Sequence, residues 1–324
     1  MLIDNFSRAI NYIRISVTDR CNLRCKYCVD GVFPFIPHSE ILSYDEIIRF
    51  VKLSVQLGIN KVRLTGGEPL VRKGISYLLK ELNNIEGLKD VSLTTNAVFL
   101  GEKILELKDA GLKRVNISLD TLKREKFKFI TGVDAFDDVL MSIEKSIYAG
   151  MKPIKINTVI IKGFNDDEIL DFARLAKKWD QHVRFIEFMP FGNLDLWDAN
   201  TTISSQEIEE TIKRHFDLEY TENCERGPAR MFSIKGSEGK IGFISPVSTH
   251  ICSECNRIRL TSGGKIRPCL FSDVEYDVKA LLRGNSSDEE IMSFIKQTVF
   301  VKPERRSEMV QIRKCQRSLR SIGG

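Results

Sequence analysis

Three cysteines lie close together near the N-terminus, in the sequence Cys21-Asn-Leu-Arg-Cys25-Lys-Tyr-Cys28. This C-x3-C-x2-C spacing lets one loop offer three thiolates to a single metal centre. A four-iron cluster normally takes one cysteine at each iron, so three cysteines leave one iron open to a ligand that is not protein. The spacing therefore favours electron-transfer chemistry at an iron–sulfur cluster. On spacing alone, a zinc knuckle lacking its fourth ligand and a disulfide with a spare thiol stay open.

A second group of three cysteines, Cys252-x2-Cys255-x13-Cys269, lies towards the C-terminus. His250 precedes it by two residues, so a Cys3His zinc site is a chemical alternative. His-x-Cys-x2-Cys would, however, crowd three ligands into six residues. The segment Arg257-Ile258-Arg259 also places cations beside any thiolate cluster. Spacing leaves both zinc and an iron–sulfur cluster open here.

The composition is that of an ordinary globular protein, with 324 residues, 42% of them hydrophobic and 29% charged. No apolar leader and no stretch of membrane-spanning length is found, so we expect a cytoplasmic protein. Thiols stay reduced in that compartment, so eight cysteines indicate metal binding rather than disulfides. Cys224 and Cys315 lie outside both groups, and we interpret them as ordinary thiols.

The net charge of +5 is modest, and no basic stripe with interleaved aromatics predicts a nucleic-acid partner. Basic residues are dense near the C-terminus, and we interpret them as a solvated tail. They include Lys302, Arg305, Arg306, Arg313, Lys314, Arg317 and Arg320.

Strand and helix patterns alternate through the first two thirds of the chain. A capping box, Ser43-x-x-Glu46, predicts the start of one helix. Six β/α units in series imply parallel strands with helices outside, which is an incomplete (βα)6 TIM-type barrel over residues 1–216. The predicted strands lie near residues 12–17, 61–65, 90–95, 113–119, 153–161 and 183–188.

The pattern changes after residue 216. Hairpin turns are predicted near 236–239 and 262–264, and helices near 277–283 and 287–300. We interpret residues 217–324 as a smaller C-terminal α+β domain that caps the open barrel and carries the second cysteine group.

Each predicted strand has one apolar and one polar phase, such as Ile13, Ile15 and Val17 against Arg14, Ser16 and Thr18. Parallel strands covered on both faces should instead be apolar throughout. The polar phase therefore predicts an interior that holds a polar ligand. An antiparallel sheet with one wet face is the alternative.

The inward phase includes the cations Arg14, Arg63 and Lys155, which would be costly to bury unpaired. A phosphate chain would pair them. In the last strand, the pattern assigns Ile186 and Phe188 to the apolar phase, with Glu187 and Met189 inward.

The segment Thr65-Gly66-Gly67-Glu68-Pro69 directly follows the second predicted strand. Strand carboxyl ends are where α/β barrels hold their active sites, and paired glycines let a ligand approach the backbone. Together with the first cysteine group, this segment resembles the radical S-adenosylmethionine (SAM) superfamily. The resemblance implies a [4Fe-4S] cluster on Cys21, Cys25 and Cys28, with SAM on the open iron. It assigns SAM contacts to Tyr27, Gly67, Ser118 and Met189.

From Arg14-Ile-Ser-Val-Thr-Asp-Arg-Cys21 to its end, the chain resembles the GTP 3′,8-cyclase family of molybdenum cofactor biosynthesis. The resemblance rests on the two cysteine groups, on Leu270-Phe271-Ser272, on Lys302-Pro-Glu-Arg-Arg306 and on the terminal Gly323-Gly324. It implies a second [4Fe-4S] cluster on Cys252, Cys255 and Cys269. It assigns catalytic roles to Gly323, Gly324, Arg257 and Arg259, and GTP contacts to Arg14, Arg63, Thr94, Lys155, Arg257, Ile258 and Arg259.

The resemblance also implies the reaction. SAM is cleaved reductively to a 5′-deoxyadenosyl radical, which removes the ribose C3′ hydrogen of GTP, and C3′ then bonds to C8. The product is (8S)-3′,8-cyclo-7,8-dihydroguanosine 5′-triphosphate. Implied partners are a flavodoxin- or ferredoxin-like electron donor and cyclic pyranopterin monophosphate synthase, with neither nucleic acid nor membrane, for a monomer or homodimer.

Two other functions stay open on the sequence: a peptide-modifying radical SAM enzyme, and a metal-knuckle nucleic-acid-binding protein. One residue departs from the family, because Ala97 stands where glycine is more usual. Since alanine tolerates positive φ poorly, we expect this loop to differ slightly if the family backbone is left-handed there.

Overall fold

One mixed sheet of twelve strands organises the fold within the described residues, which are 1–28, 35–179, 181–191, 196–198, 200–221, 227–249, 252–305 and 319–322 of the computed structural model. Its strands lie in the order β12-β11-β10-β1-β2-β3-β4-β5-β6-β9-β8-β7. They are β1 (Tyr12–Ser16), β2 (Lys61–Thr65), β3 (Asp90–Thr95), β4 (Val115–Ser118), β5 (Lys155–Ile160), β6 (His182–Glu187), β7 (Leu218–Thr221), β8 (Ala229–Ile234), β9 (Lys240–Ile244), β10 (Arg257–Leu260), β11 (Lys265–Arg267) and β12 (Tyr276–Asp277).

Helices connect the central strands. The predicted capping box is confirmed, because Ser43 Oγ accepts from the Glu46 N–H at 3.1 Å at the start of the first helix. The helices are α1 (Tyr44–Gln56), α2 (Ile75–Asn83), α3 (Leu100–Asp109), α4 (Arg124–Thr131), α5 (Phe136–Tyr148), α6 (Ile169–Trp179), α7 (Ser205–Lys213), α8 (Lys279–Arg283), α9 (Asp288–Phe300) and α10 (Leu319–Ile322), with short 3-10 turns at His38–Glu40, Pro69–Val71 and Asp166–Glu168. None of the described helices combines the length and apolarity needed to cross a membrane.

Strands β1 to β6 pair in parallel, each with its neighbour in the chain. This confirms the incomplete α/β barrel and shows that the antiparallel alternative was wrong. The physical reason is that a helix returns the chain to the same end of the sheet after each strand.

The segment after residue 216 continues this sheet at both edges. Strand β9 adds in parallel to β6, and β10 adds in parallel to β1. The two predicted hairpins are present as the antiparallel pairs β8–β9 and β10–β11. The division into 1–216 and 217–324 stays a prediction, and the hydrogen-bonded sheet runs across it.

The outward phase of the central strands packs under the helices, where Ile13, Ile15 and Leu64 are fully buried. The prediction of which β6 side chains face the interior was wrong. Ile186 lines the interior cavity, whereas Glu187 lies behind the sheet and accepts hydrogen bonds from the backbone of Ser205 and Val247. Ladders with β5 and β9 set this orientation, and they outweigh the apolarity of the single strand.

Candidate active site

Both cysteine groups face one interior cavity of about 370 Å³. All six of these cysteines are free thiols, so a disulfide within either group is excluded. The groups lie at opposite ends of the strands. Cys21 follows the carboxyl end of β1, whereas Cys255 precedes the amino end of its parallel neighbour β10.

The first cysteine loop is fastened to the end of α4. Arg24 N–H donates to the Thr131 carbonyl at 2.8 Å, and Lys26 N–H donates to the Ile130 carbonyl at 2.9 Å. Burial raises the pKa of the Cys21 thiol to about 11, assisted by the Glu68 and Cys28 charges. A coordinated metal would reverse this preference, because metal coordination deprotonates thiols.

The Gly66-Gly67 segment packs directly on the chain that leads into this loop. Gly67 N–H donates to the Thr18 carbonyl at 2.7 Å, and Glu68 N–H donates to the Arg20 carbonyl at 2.8 Å. A Cβ on Gly67 would lie 2.2 Å from the Arg20 carbonyl oxygen. The glycines therefore admit a neighbouring backbone segment, besides lining the cavity.

The Glu68 side chain is buried beside the cavity and is not part of the lining. Its carboxylate accepts from Leu70 N–H at 2.9 Å, Thr95 Oγ1 at 2.8 Å and Asn96 N–H at 2.7 Å. Burial outweighs these hydrogen bonds and raises its pKa to about 7. Glu68 thus joins the glycine segment to the end of β3.

A row of arginines crosses the cavity wall. Arg14 is opposite Arg259 on β10 and Arg63 on β2. Burial and the charges of Arg63 and Arg257 lower the pKa of Arg14 to about 10, although the Tyr12 hydroxyl opposes this. Burial and the charges of Arg14 and Arg257 also hold the pKa of Arg259 well below its usual value.

Several polar atoms in this wall have no hydrogen-bond partner in the part of the chain that the structure describes. They are Arg14 Nε, Thr94 Oγ1 and Asn157 Oδ1, all buried on cavity-lining residues. Buried polar atoms normally find partners, so a polar ligand is expected in the cavity. Clustered cations make an anionic ligand the best match.

The second cysteine group has the opposite electrostatic setting from the first. Cys255 N–H donates to the Cys252 carbonyl at 3.1 Å, which makes a tight turn. Burial opposes ionisation of Cys255, but the positive charges of Lys302 and Arg257 overcome it and lower the pKa of the thiol to about 6. This end of the cavity therefore favours thiolate.

Comparison with known proteins identifies the family. Residues 15–176 match the model of the radical SAM superfamily, and residues 181–308 match that of the molybdenum cofactor synthesis C-terminal domain. The chain is 49% identical to the GTP 3′,8-cyclase of Thermodesulfovibrio yellowstonii over 324 residues, 99% of each chain. It is 47% identical to that of Moorella thermoacetica over 302 residues, 93% of each. The chain belongs to the GTP 3′,8-cyclase family.

Solved structures share the fold of this cyclase-family chain. SuiB of Streptococcus suis bound to S-adenosylmethionine aligns with a TM-score of 0.60 at 14% identity, over 88% of this chain and 68% of that one. Native anSMEcpe with bound AdoMet aligns with a TM-score of 0.56 at 16% identity, over 87% and 82%. Membership of the superfamily implies an enzyme with a [4Fe-4S] cluster and SAM.

The residues fit these cofactors. Three free thiols on one loop are the donor set of an iron–sulfur cluster. Most residues that the sequence assigned to SAM or GTP lie together on the wall of this cyclase-family cavity: Tyr27, Gly67, Ser118, Met189, Arg14, Arg63, Thr94, Arg257 and Arg259. Tyr27 is fixed there, because its hydroxyl donates to Asp120 Oδ2 at 2.5 Å.

Two assigned GTP residues lie away from this wall. Ile258 is packed in the hydrophobic core, and Lys155 is buried on β5 beside Asn116 of β4. Their roles stay predictions. Gly323 and Gly324 lie outside the described residues, as do His250, Cys224 and Cys315.

Sequence reasoning missed several wall residues of the cyclase-family cavity. Lys302 and Arg320 are buried and line it, so the solvated-tail prediction was wrong for both. Arg184 also lines it, opposite Asn157. The polar residues His182 and Arg184 alternate with apolar ones in β6, and this pattern could have predicted that Arg184 faces the interior.

The predicted difference between the Ala97 loop and that of the family stays a prediction. Ala97 itself adopts a left-handed φ of 66° despite its side chain. Its N–H donates to Thr95 Oγ1 at 3.0 Å, and its carbonyl accepts from Leu100 N–H at 3.1 Å. Burial of the methyl group in the core offsets part of the conformational cost.

Proposed function

We propose that this chain is a GTP 3′,8-cyclase that converts GTP to (8S)-3′,8-cyclo-7,8-dihydroguanosine 5′-triphosphate, the first step of molybdenum cofactor biosynthesis. The observation that carries this is one cavity with three cysteines at each end and a row of arginines between them. The family membership supports the same reaction.

The first cysteine group, Cys21, Cys25 and Cys28, would hold a [4Fe-4S] cluster. When bound, this cluster and SAM supply the 5′-deoxyadenosyl radical that removes the C3′ hydrogen of GTP. The protein positions SAM through Tyr27 and the backbone at Gly67, and we assign the same role to Ser118 and Met189. The tight packing of Gly67 on the chain before Cys21 keeps the two parts of this site in register.

The arginine row would hold the triphosphate. Arg14, Arg63 and Arg259 are neighbours across three strands, so their guanidinium groups can pair with successive phosphate oxygens. Thr94 lines the same wall. We assign supporting GTP contacts to Lys155, on β5, and to Ile258, which lies between Arg257 and Arg259 on β10.

The second cysteine group, Cys252, Cys255 and Cys269, would hold a second [4Fe-4S] cluster, with Arg257 and Arg259 as catalytic residues beside it. The low pKa of Cys255 supports thiolate ligation at this end. The terminal Gly323 and Gly324 would complete the active site. A flavodoxin- or ferredoxin-like protein would supply electrons, and cyclic pyranopterin monophosphate synthase would take the product, with the enzyme as monomer or homodimer in the cytoplasm.

A peptide-modifying radical SAM enzyme is the second candidate, because one of the similar folds is SuiB bound to precursor peptide SuiA. That structure is 13% identical to this chain, so it supports the fold alone. The arginine row favours a phosphorylated substrate instead.

Anaerobic purification tests the metal content first. Two four-iron clusters give about eight irons per chain. Zinc in a colourless protein would exclude this function. Reduced enzyme is then incubated with SAM and GTP carrying deuterium at C3′.

The cyclase forms 5′-deoxyadenosine that contains deuterium, together with the cyclised nucleotide. Unlabelled deoxyadenosine, or turnover with SuiA-type peptide but not GTP, would refute the proposal. Arg259→Met, which removes one guanidinium from the arginine row, should lose the cyclised nucleotide in this assay. Arg214→Met, at an exposed position outside the cavity, is its matched control and should retain it.

A further inference from the structure

A buried lysine joins the two chain segments that carry the last two cysteines of the second group. Lys302 is 3% exposed, and its Nζ donates to the Arg257 carbonyl at 2.9 Å and to the Pro268 carbonyl at 2.5 Å. Arg257 follows Cys255 by two residues, and Pro268 directly precedes Cys269. One ammonium group therefore sets the separation of these two cysteines.

An arginine from the N-terminal segment holds Cys252, the first cysteine of the second group. Arg8 Nη1 donates to the Cys252 carbonyl at 2.8 Å and to the Glu304 carbonyl at 2.9 Å, and Nη2 donates to the Pro303 carbonyl at 2.7 Å. Arg8 thus ties Cys252 to the residues that follow Lys302. We call Arg8 and the segment 302–304 the brace.

The two cations of the brace differ in charge balance. Arg8 forms an ion pair with the buried Asp4, at 2.6 Å, so its charge is neutralised. Lys302, in contrast, donates to carbonyls and contacts the Cys255 thiol, and within the described ranges it pairs with no carboxylate. The Lys302 charge is therefore directed at the cysteines.

We infer that Lys302 is a positioning residue for the second iron–sulfur cluster, which it supports in two ways. Its hydrogen bonds fix the spacing of Cys255 and Cys269, and its positive charge favours the reduced form of the cluster. Outer hydrogen bonds and nearby charge are the usual means by which proteins tune metal centres. The inference rests on the proposed function, since that function places a cluster at this group.

Redox titration followed by electron paramagnetic resonance tests the inference. The titration uses the full chain with alanine at Cys21, Cys25 and Cys28, so that the second cluster alone contributes. In this background, Lys302→Met should shift the midpoint potential to a more negative value and lower the iron content below about four per chain.

Two further variants separate charge from geometry. Arg8→Lys keeps the charge but loses part of the fork of hydrogen bonds, so it should lower iron content without shifting the potential of the remaining cluster. Lys302→Arg keeps the charge and should leave the potential close to that of the parent. Lys296→Met, at an exposed position on α9, is the matched control and should change neither quantity.

The outcomes are distinct from those that test the reaction. Equal iron content and equal potential in Lys302→Met and its parent would overturn the inference without contradicting the proposed cyclase function. A parent that holds no cluster in this background would overturn both the second cluster and the inference. Circular dichroism confirms folding of each variant. If Lys302→Met does not fold, Lys302→Gln, which removes the charge but keeps a hydrogen-bond donor, carries the charge test and should shift the potential in the same direction.

Discussion

Replacing Arg14 by methionine should stabilise the ligand-free protein and weaken GTP binding. Burial and neighbouring cations lower the pKa of Arg14 from 12.5 to about 10. Each pKa unit corresponds to about 1.4 kcal/mol, so the charged form is destabilised by about 3 kcal/mol at neutral pH. Part of the side chain remains exposed to the cavity, which screens the charge. We therefore expect a net gain of about 1–2 kcal/mol in the free energy of unfolding.

The assay is thermal unfolding of anaerobically purified protein, with and without GTP. A gain of 1–2 kcal/mol corresponds to about 1.5–3 °C in a chain of this size. GTP should then raise the melting temperature of the wild type, because a ligand that binds only the folded state stabilises it. In Arg14→Met, that increase should be largely lost. Arg214→Met, at an exposed position, should melt like the wild type both with and without GTP.

Arg14→Met should melt above the wild type without GTP but lose most of the increase that GTP produces, and this combination makes the prediction specific. An ordinary destabilising substitution lowers the melting temperature in both. If Arg14→Met melts several degrees below the wild type without GTP, charge repulsion in the arginine row does not destabilise the ligand-free protein. If GTP raises its melting temperature as much as that of the wild type, Arg14 does not hold the triphosphate.

Two other substitutions test the framework of the first cysteine loop. Because the pKa of Glu68 is raised to about 7, its protonated form stabilises the fold at low pH, and this contribution is lost as the pH rises through 7. The unfolding free energy of the wild type relative to Glu68→Gln should fall by about 2–3 kcal/mol from pH 5 to 8 in urea titrations, and parallel pH profiles would contradict this. Gly67→Ala should cost about 3 kcal/mol or more, because its Cβ would meet the Arg20 carbonyl at 2.2 Å and break adjoining hydrogen bonds. Gly263→Ala meets only Ile36 at 3.6 Å, so equal melting temperatures of the two variants would refute the packing argument.

Local patterns predicted most of the fold. Strand periodicity identified all six central strands to within about two residues, because each is a short run with a clear phase. The polar phase of β1 and β2 also predicted correctly that Arg14 and Arg63 face the interior. These features depend on residues close together in the sequence, so the local pattern is enough to predict them.

Features set by long-range pairing could not be predicted in this way. The phase of β6 was misjudged at Glu187, since its ladders with β5 and β9 decide which side faces inward. Lys302 looked like part of a charged tail, and only its carbonyl partners more than 30 residues away explain its burial. A single side chain does not reveal such partners in advance.

The position of β10 explains why the cavity suits a long, charged molecule. Its ladder with β1 aligns Arg259 with Arg14, and it places Cys255 before the amino end of β10 while Cys21 follows the carboxyl end of β1. The five residues of β1 span four steps of about 3.3 Å, so the ends of this strand lie about 13 Å apart. A substrate held between SAM at the first cysteine group and the second cysteine group must therefore extend along the strands beside the arginine row. A nucleoside triphosphate has this length and charge, which a compact substrate does not.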